Sequence, residues 1–143
     1  MKVIDDAAAE RRAGEVRRLV FCSGKIAIDL EASAHRASTP GVAVCRVEQL
    51  YPLPVNEMLS SIDRYPNLEE VFWVQEEPEN MGAWDFVRPT LEGLAGTRRL
   101  AVLARPRSSS PAEGSASRHA QNQERLVSRV FQIKSRSTNE VRS

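Results

Sequence analysis

The apolar run Val71-Phe72-Trp73-Val74 is followed by Gln75 and stops at two adjacent carboxylates, Glu76 and Glu77, and then at Pro78. A short, unbroken apolar run with polar punctuation reads as a strand covered on both faces. Proline cannot donate to a sheet ladder, so Pro78 is expected to end the strand. Gly82 supplies the freedom for a tight turn, and a helix is expected from Ala83 to Leu94 with Phe86, Val87, Leu91 and Leu94 inward. Glu76 and Glu77 therefore fall at the carboxyl end of a central strand, just before a helix. In open α/β sheets that edge is where ligands and partner surfaces are met.

The same strand–helix unit recurs along the chain. Arg18 to Cys22 reads as a strand, Ser23-Gly24 as its turn, and Lys25 to about Ala37 as a helix whose Ile26, Leu30 and Ala34 form one apolar face. After the breaker Pro40-Gly41, Val42 to Val47 is a second strand. Pro52 and Pro54 bracket a tight connection, and Pro54 fits the first turn of a helix ending near Asp63, with Val55, Met58, Leu59 and Ile62 at helical spacing. Tyr65-Pro66-Asn67 then turns the chain into the third strand, Glu70 to Gln75. Leu100 to Leu103 is a fourth strand, and Arg105 to Ser117 is a Ser/Pro/Ala/Gly loop too long for a simple connector. Arg118 to Phe131 is a last helix with Leu126, Val127, Val130 and Phe131 on one side. Alternating strands and helices imply an α/β fold: three layers, α/β/α, around a mostly parallel sheet of four to five strands. Residues 1–17 form a polar lead-in without a clear apolar stripe, 18–131 the domain, and 132–143 a polar tail expected to be disordered.

A chain of 143 residues suffices for one domain with a proper core. With 27% charged residues and a formal net charge of +1, nothing global attracts nucleic acid. No apolar run approaches a membrane span and the amino terminus lacks a signal-peptide pattern, so no membrane association and a cytoplasmic location are expected. The charge is uneven: Glu69, Glu70, Glu76, Glu77, Glu79, Asp85 and Glu92 face Arg88 alone over that interval, and the balance turns basic after Arg98. Solvated faces and a docking surface are both open readings of that asymmetry. Cys22 and Cys45 fall inside strands without metal-ligand spacing and read as reduced structural thiols; no metal site is assigned.

Ser23-Gly24-Lys25 is similar to the end of a phosphate loop, but Leu19 and Ile26 stand where that loop needs glycine and a hydroxyl residue. A helix amino terminus carrying a lysine still attracts an anion. Arg46 interrupts the second strand near its carboxyl end, with Gln49 following, so Arg46 and Lys25 are a candidate anion site; the alternative for Arg46 is an ion pair with Glu76 or Glu77. Glu76 and Glu77, being neighbours on a strand, point to opposite faces and do not act together on one bond. They read, with Asn80 and Trp84, as an interface or structural motif, Trp84 being either core or interface. Phe72 and Trp73 are expected in the core, His35 in solvent, and His119 at a cap or interface. No nucleophile, base and orienter occur together and no cofactor fingerprint appears, so no catalytic residue is assigned.

Four blocks in order carry a family resemblance: Leu19-Val20-Phe21-Cys22-Ser23-Gly24-Lys25; Val44 to Pro54; Trp73 to Trp84; and Arg105-Pro106 with Ser109-Ser110-Pro111-Ala112. Over about Val3 to Phe131 the chain resembles the carboxy-terminal, transketolase-like domain of the decarboxylating first component of the 2-oxoglutarate dehydrogenase complex. The resemblance implies a strand order with the first clear strand central, the second beside it, the third on its other side and the fourth outermost. It also implies an antiparallel edge strand that Val3-Ile4 enters, here truncated. The parent enzyme, a homodimer of the tricarboxylic acid cycle, uses thiamine diphosphate and magnesium held by domains that precede this one. The resemblance therefore implies a non-catalytic domain or remnant without its own cofactor, partnered by the amino-terminal domains of the same enzyme or by a split partner. Some family members carry a nucleotide or acyl-CoA site at residues matching Arg46 and Gln49, but Val55-Asn56-Glu57 replaces the arginine run of the acyl-CoA-responsive ones. A stand-alone nucleotide- or acyl-CoA-binding module is the alternative reading.

Overall fold

The structure, a computed structural model, describes residues 2–106 and 116–133. Its strands are β1 (Val3–Ile4), β2 (Arg18–Cys22), β3 (Val42–Val47), β4 (Glu70–Pro78) and β5 (Arg99–Arg105). Its helices are α1 (Ala7–Glu10), α2 (Lys25–Ala32), α3 (Ala34–Ala37), α4 (Val55–Asp63), α5 (Trp84–Ala95) and α6 (Ala116–Val130). The five strands form one sheet in the order β1-β3-β2-β4-β5, with only β1 antiparallel to its neighbour. This is the three-layer α/β arrangement and strand order expected from the sequence, and β1 is a two-residue edge.

β2 is the central strand and every one of its residues is buried, because helices cover both of its faces. Leu19 and Phe21 point to one side, against Met58 and Ile62 of α4 and Val87 and Leu91 of α5. Val20 and Cys22 point to the other, against Ile26 and Leu30 of α2 and Leu126, Val127 and Val130 of α6. Each large apolar side chain fully buried here stabilises the fold by about 1.5–3 kcal/mol. Arg18 enters the second layer as well: its guanidinium bonds Glu70 Oε1 at 3.0 Å, lies 4.1 Å from the Phe72 ring centroid, and donates to the Val130 carbonyl at 2.9 Å. That last bond caps α6 from the start of the central strand.

Several local expectations change. The helix expected over 25–37 is split, because Ser33 is extended and its side chain caps α3 through the His35 N–H; Ala34 is exposed as a result. His35 is exposed, as expected, and sits 3.4 Å from Glu124 with its ring stacked near Phe131. β4 continues to Pro78, but its regular pairing with β5 is interrupted by a register shift between Val74 and Pro78, the kind of irregularity at which a proline is tolerated in a strand. Helix α5 buries Trp84, Val87, Leu91 and Ala95, while Phe86 faces outward and Leu94 is half-buried; on α4, Val55 and Leu59 are exposed. The polar lead-in contributes Val3, Ala9 and Val16 to the core. Of the long loop and the tail, residues 107–115 and 134–143 lie outside the described residues, while Ile133 packs on the second layer.

Candidate functional site: the carboxyl edge of the sheet

Gln75 organises the end of β4. It is 4% exposed, and its Oε1 accepts from the Trp73 indole N–H at 3.0 Å and from the Trp84 backbone N–H at 3.1 Å. Its Nε2 donates to the carbonyls of Glu77, Pro78 and Met81 at 3.1, 2.8 and 2.7 Å. One amide thereby satisfies the acidic turn and the start of α5, where buried polar groups would otherwise cost about 1–3 kcal/mol each. Gly82 closes the turn at φ +71°, and a Cβ there would stand 3.1 Å from Glu77 Oε1 and 3.2 Å from Gln75 Nε2. Trp84, open between core and interface in the sequence, belongs to the core. Asn80 is exposed at the tip of the turn.

Between β2 and β4, where the strand order reverses, a cleft of about 440 Å³ opens at the carboxyl edge. Ser23, Gly24, Lys25, Tyr51, Glu76 and Glu77 are among its walls. Gly24, at φ +75°, turns the chain from β2 into α2, whose first turn has no side-chain cap. Glu76 and Glu77 diverge as strand neighbours do. Glu76 Oε1 accepts from Gln123 Nε2 of α6 at 2.9 Å, whereas Glu77 leans on the Gly82 turn.

Gln123 belongs to a polar cluster that the sequence reading does not assemble. Its Nε2 also donates to Asp29 Oδ2 of α2 at 2.6 Å, and its Oε1 accepts from the Arg105 guanidinium. Arg105 also bonds the His119 ring, at 2.8 Å to Nδ1. His119 thus lies at an interelement contact, and α2, β4, β5 and α6 are stitched together through one amide.

Lys25 lines the cleft, but Arg46 and Gln49 do not. Arg46 pairs with Glu48 at 3.5 Å rather than with Glu76 or Glu77, a separation that carries charge attraction without a well-formed hydrogen bond. Gln49 spends its amide on the Pro52 carbonyl at 2.8 Å, within the Pro52–Pro54 connection. Both thiols are buried: burial first, with Glu31 adding to it and Arg46 opposing, pushes Cys22 up to about 12, and burial likewise raises Cys45. At neutral pH such groups are inert. They also face opposite layers, which rules out a pair.

Comparison with known proteins decides the family. A family model described as 2-oxoglutarate dehydrogenase C-terminal matches residues 1–131. The chain belongs to that family. It is 44% identical over 129 residues to the 2-oxoglutarate dehydrogenase E1 component of an Exiguobacterium species, an alignment covering 87% of this chain and 14% of that protein. The E1 components of Bacillus mycoides and Bacillus cereus are similar at 44% and 42% identity over 128 residues, each alignment covering 86% of this chain and 13% of the relative. The chain therefore spans about one seventh of the length of the curated relatives it matches.

In this 2-oxoglutarate dehydrogenase C-terminal domain the cleft sets Lys25 beside Glu76 and Glu77. Among the described residues no group of three or more His, Cys, Asp or Glu is disposed to hold a metal. No helix among the described residues is long and apolar enough to cross a membrane.

Proposed function

We propose that this chain is a non-catalytic C-terminal domain of a 2-oxoglutarate dehydrogenase E1 component and that its work is assembly. The carrying observation is the combination of a family match over residues 1–131 with coverage of only 14% of the Exiguobacterium relative. The site supports the same reading. Its polar groups are consumed in holding the acidic turn, α5 and α6 in place, and nothing there combines a nucleophile with a base and an oriented partner. Thiamine diphosphate and magnesium are held, on this reading, by residues that precede the matched segment. The partner is that preceding part of the enzyme, in the same polypeptide or in a separate one, and the assembled enzyme is a homodimer.

The reading of a nucleotide- or acyl-CoA-binding module draws less support, since Arg46 and Gln49 are engaged locally and are not among the residues that line Lys25's cleft. Calorimetric titration of the 143-residue chain separates the two. Thiamine diphosphate with magnesium, adenosine monophosphate and acetyl-CoA are all expected to give no binding heat. Saturable heat with the first would overturn the non-catalytic reading, and with either of the others would establish the module.

A further inference from the structure

The two helical layers differ in what they leave uncovered. On the α2/α6 side the one large hydrophobic residue left exposed among the described residues is Ile28. On the α4/α5 side Tyr51 is 69% exposed and Phe86 44% exposed, and their rings touch with centroids 4.5 Å apart. Val55 and Leu59, also exposed, stand one turn apart on α4, which packs against α5. Two aromatic rings held against each other in water gain little; the same rings buried against a partner are the kind of anchor that dominates an interface.

We propose that Tyr51, Phe86, Val55 and Leu59 form the face on which this domain docks against the preceding part of an E1 component, an inference that rests on the assembly reading above. The occupant follows from three observations. The matched segment is the C-terminal one and covers 13–14% of the relatives, so most of such an enzyme lies upstream of this face. The face continues to the carboxyl edge of the sheet, because Tyr51 is also a wall of the cleft there. Its rim on that side is acidic: Glu77, Glu79 and Asp85 are all exposed. A two-fold contact between copies would set acid against acid, whereas a partner with an apolar centre and a basic rim complements the face.

The test uses this chain and the E1 component of the same organism cut back before its own matched segment, with association read by sedimentation velocity and biolayer interferometry. The variants are Tyr51→Ser with Phe86→Ser, Val55→Ser with Leu59→Ser, and Ile28→Ser as the control on the opposite layer. All five positions are exposed, so circular dichroism and melting temperature are expected to match the unaltered chain. Each docking pair is expected to weaken association roughly thirtyfold or more, and the control by less than about twofold. If the unaltered chain associates and both docking pairs associate equally well, this face is wrong and the assembly reading stands. If the unaltered chain does not associate at all, the assembly reading fails and takes this inference with it. If the chain forms a dimer that the docking variants abolish, the occupant is a second copy and the proposed partner is wrong.

Discussion

Asp6 and Gln75 perform the same task at opposite ends of the sheet with opposite electrostatics. Each is a buried polar side chain tying an irregular segment to the strands: Asp6 is 3% exposed and Gln75 is 4% exposed. Asp6 accepts from the Ala9 N–H at 3.0 Å, the Val44 N–H at 3.0 Å and Arg36 Nη2 at 2.8 Å. A carboxylate only accepts, so it suits a position ringed by donors. Gln75 sits between donors on one side and the carbonyls of Glu77, Pro78 and Met81 on the other, so its position demands a group that does both. The amino-terminal lock is ionic, extended by Asp5 and Glu10 to Arg64 at 2.9 and 3.0 Å. The lock at the carboxyl edge is neutral, which leaves Glu76 free to reach α6 and keeps exposed carboxylates at the rim of the cleft.

Exchanging the chemistry of the two locks breaks the comparison most sharply. Gln75→Glu places a buried charge against carbonyl oxygens and is expected to cost about 4 kcal/mol near neutral pH, read from urea unfolding. Burial raises the introduced carboxyl above its unfolded value of about 4.3. The penalty is then smallest below that pH and grows as pH rises through the folded value. A penalty independent of pH would mean that the loss is one of shape alone. Asp6→Ala leaves the Val44 and Ala9 N–H groups and Arg36 without their acceptor and is expected to cost about 3 kcal/mol, with loss of amide-exchange protection at Val44. Gln123→Ala removes the amide that joins α2, β4, β5 and α6. It is part-buried, so about 1 kcal/mol is expected, with faster exchange confined to α6. A further effect is alkaline. Cys22 in the folded chain is raised to about 12, above an unfolded value near 8.5, so its contribution is present below about pH 8.5 and is lost as pH climbs toward 12. The urea midpoint should fall over that window, and Cys22→Ala should flatten part of the fall, Cys45 and Tyr65 being raised in the same sense.

The layer plan was readable because it rests on periodicity. The apolar runs at 19–22, 42–45 and 71–74 admit few placements other than strands covered on both faces, and the helices between them fix the parallel order. Spacing alone did less well on outward faces: Phe86, Val55 and Leu59 fit an apolar stripe yet face solvent, because the stripe is wider than the area the sheet covers. The site was legible only by position. Glu76 and Glu77 mark the carboxyl edge, whereas the residues that hold that edge, Gln75, Gln123 and Asp29, look like ordinary polar residues until three dimensions join them. For Gln75 a signal existed: a polar residue closing a buried run must find partners. The lead-in was harder, since Val3, Ala9 and Val16 reach the core from a two-residue strand, one helical turn and the residue after a 3-10 turn at Ala13–Glu15, which share no period.

The assembly reading turns on whether this domain completes an enzyme or performs chemistry alone. The direct measurement is turnover of 2-oxoglutarate, with thiamine diphosphate, magnesium and an artificial electron acceptor, by the truncated E1 component while this chain is titrated in. The expected result is no turnover by the chain alone and a saturable rise as it binds, with the Tyr51→Ser, Phe86→Ser variant shifted to higher concentration. Turnover by the chain alone, or a truncated enzyme indifferent to saturating chain, would contradict it.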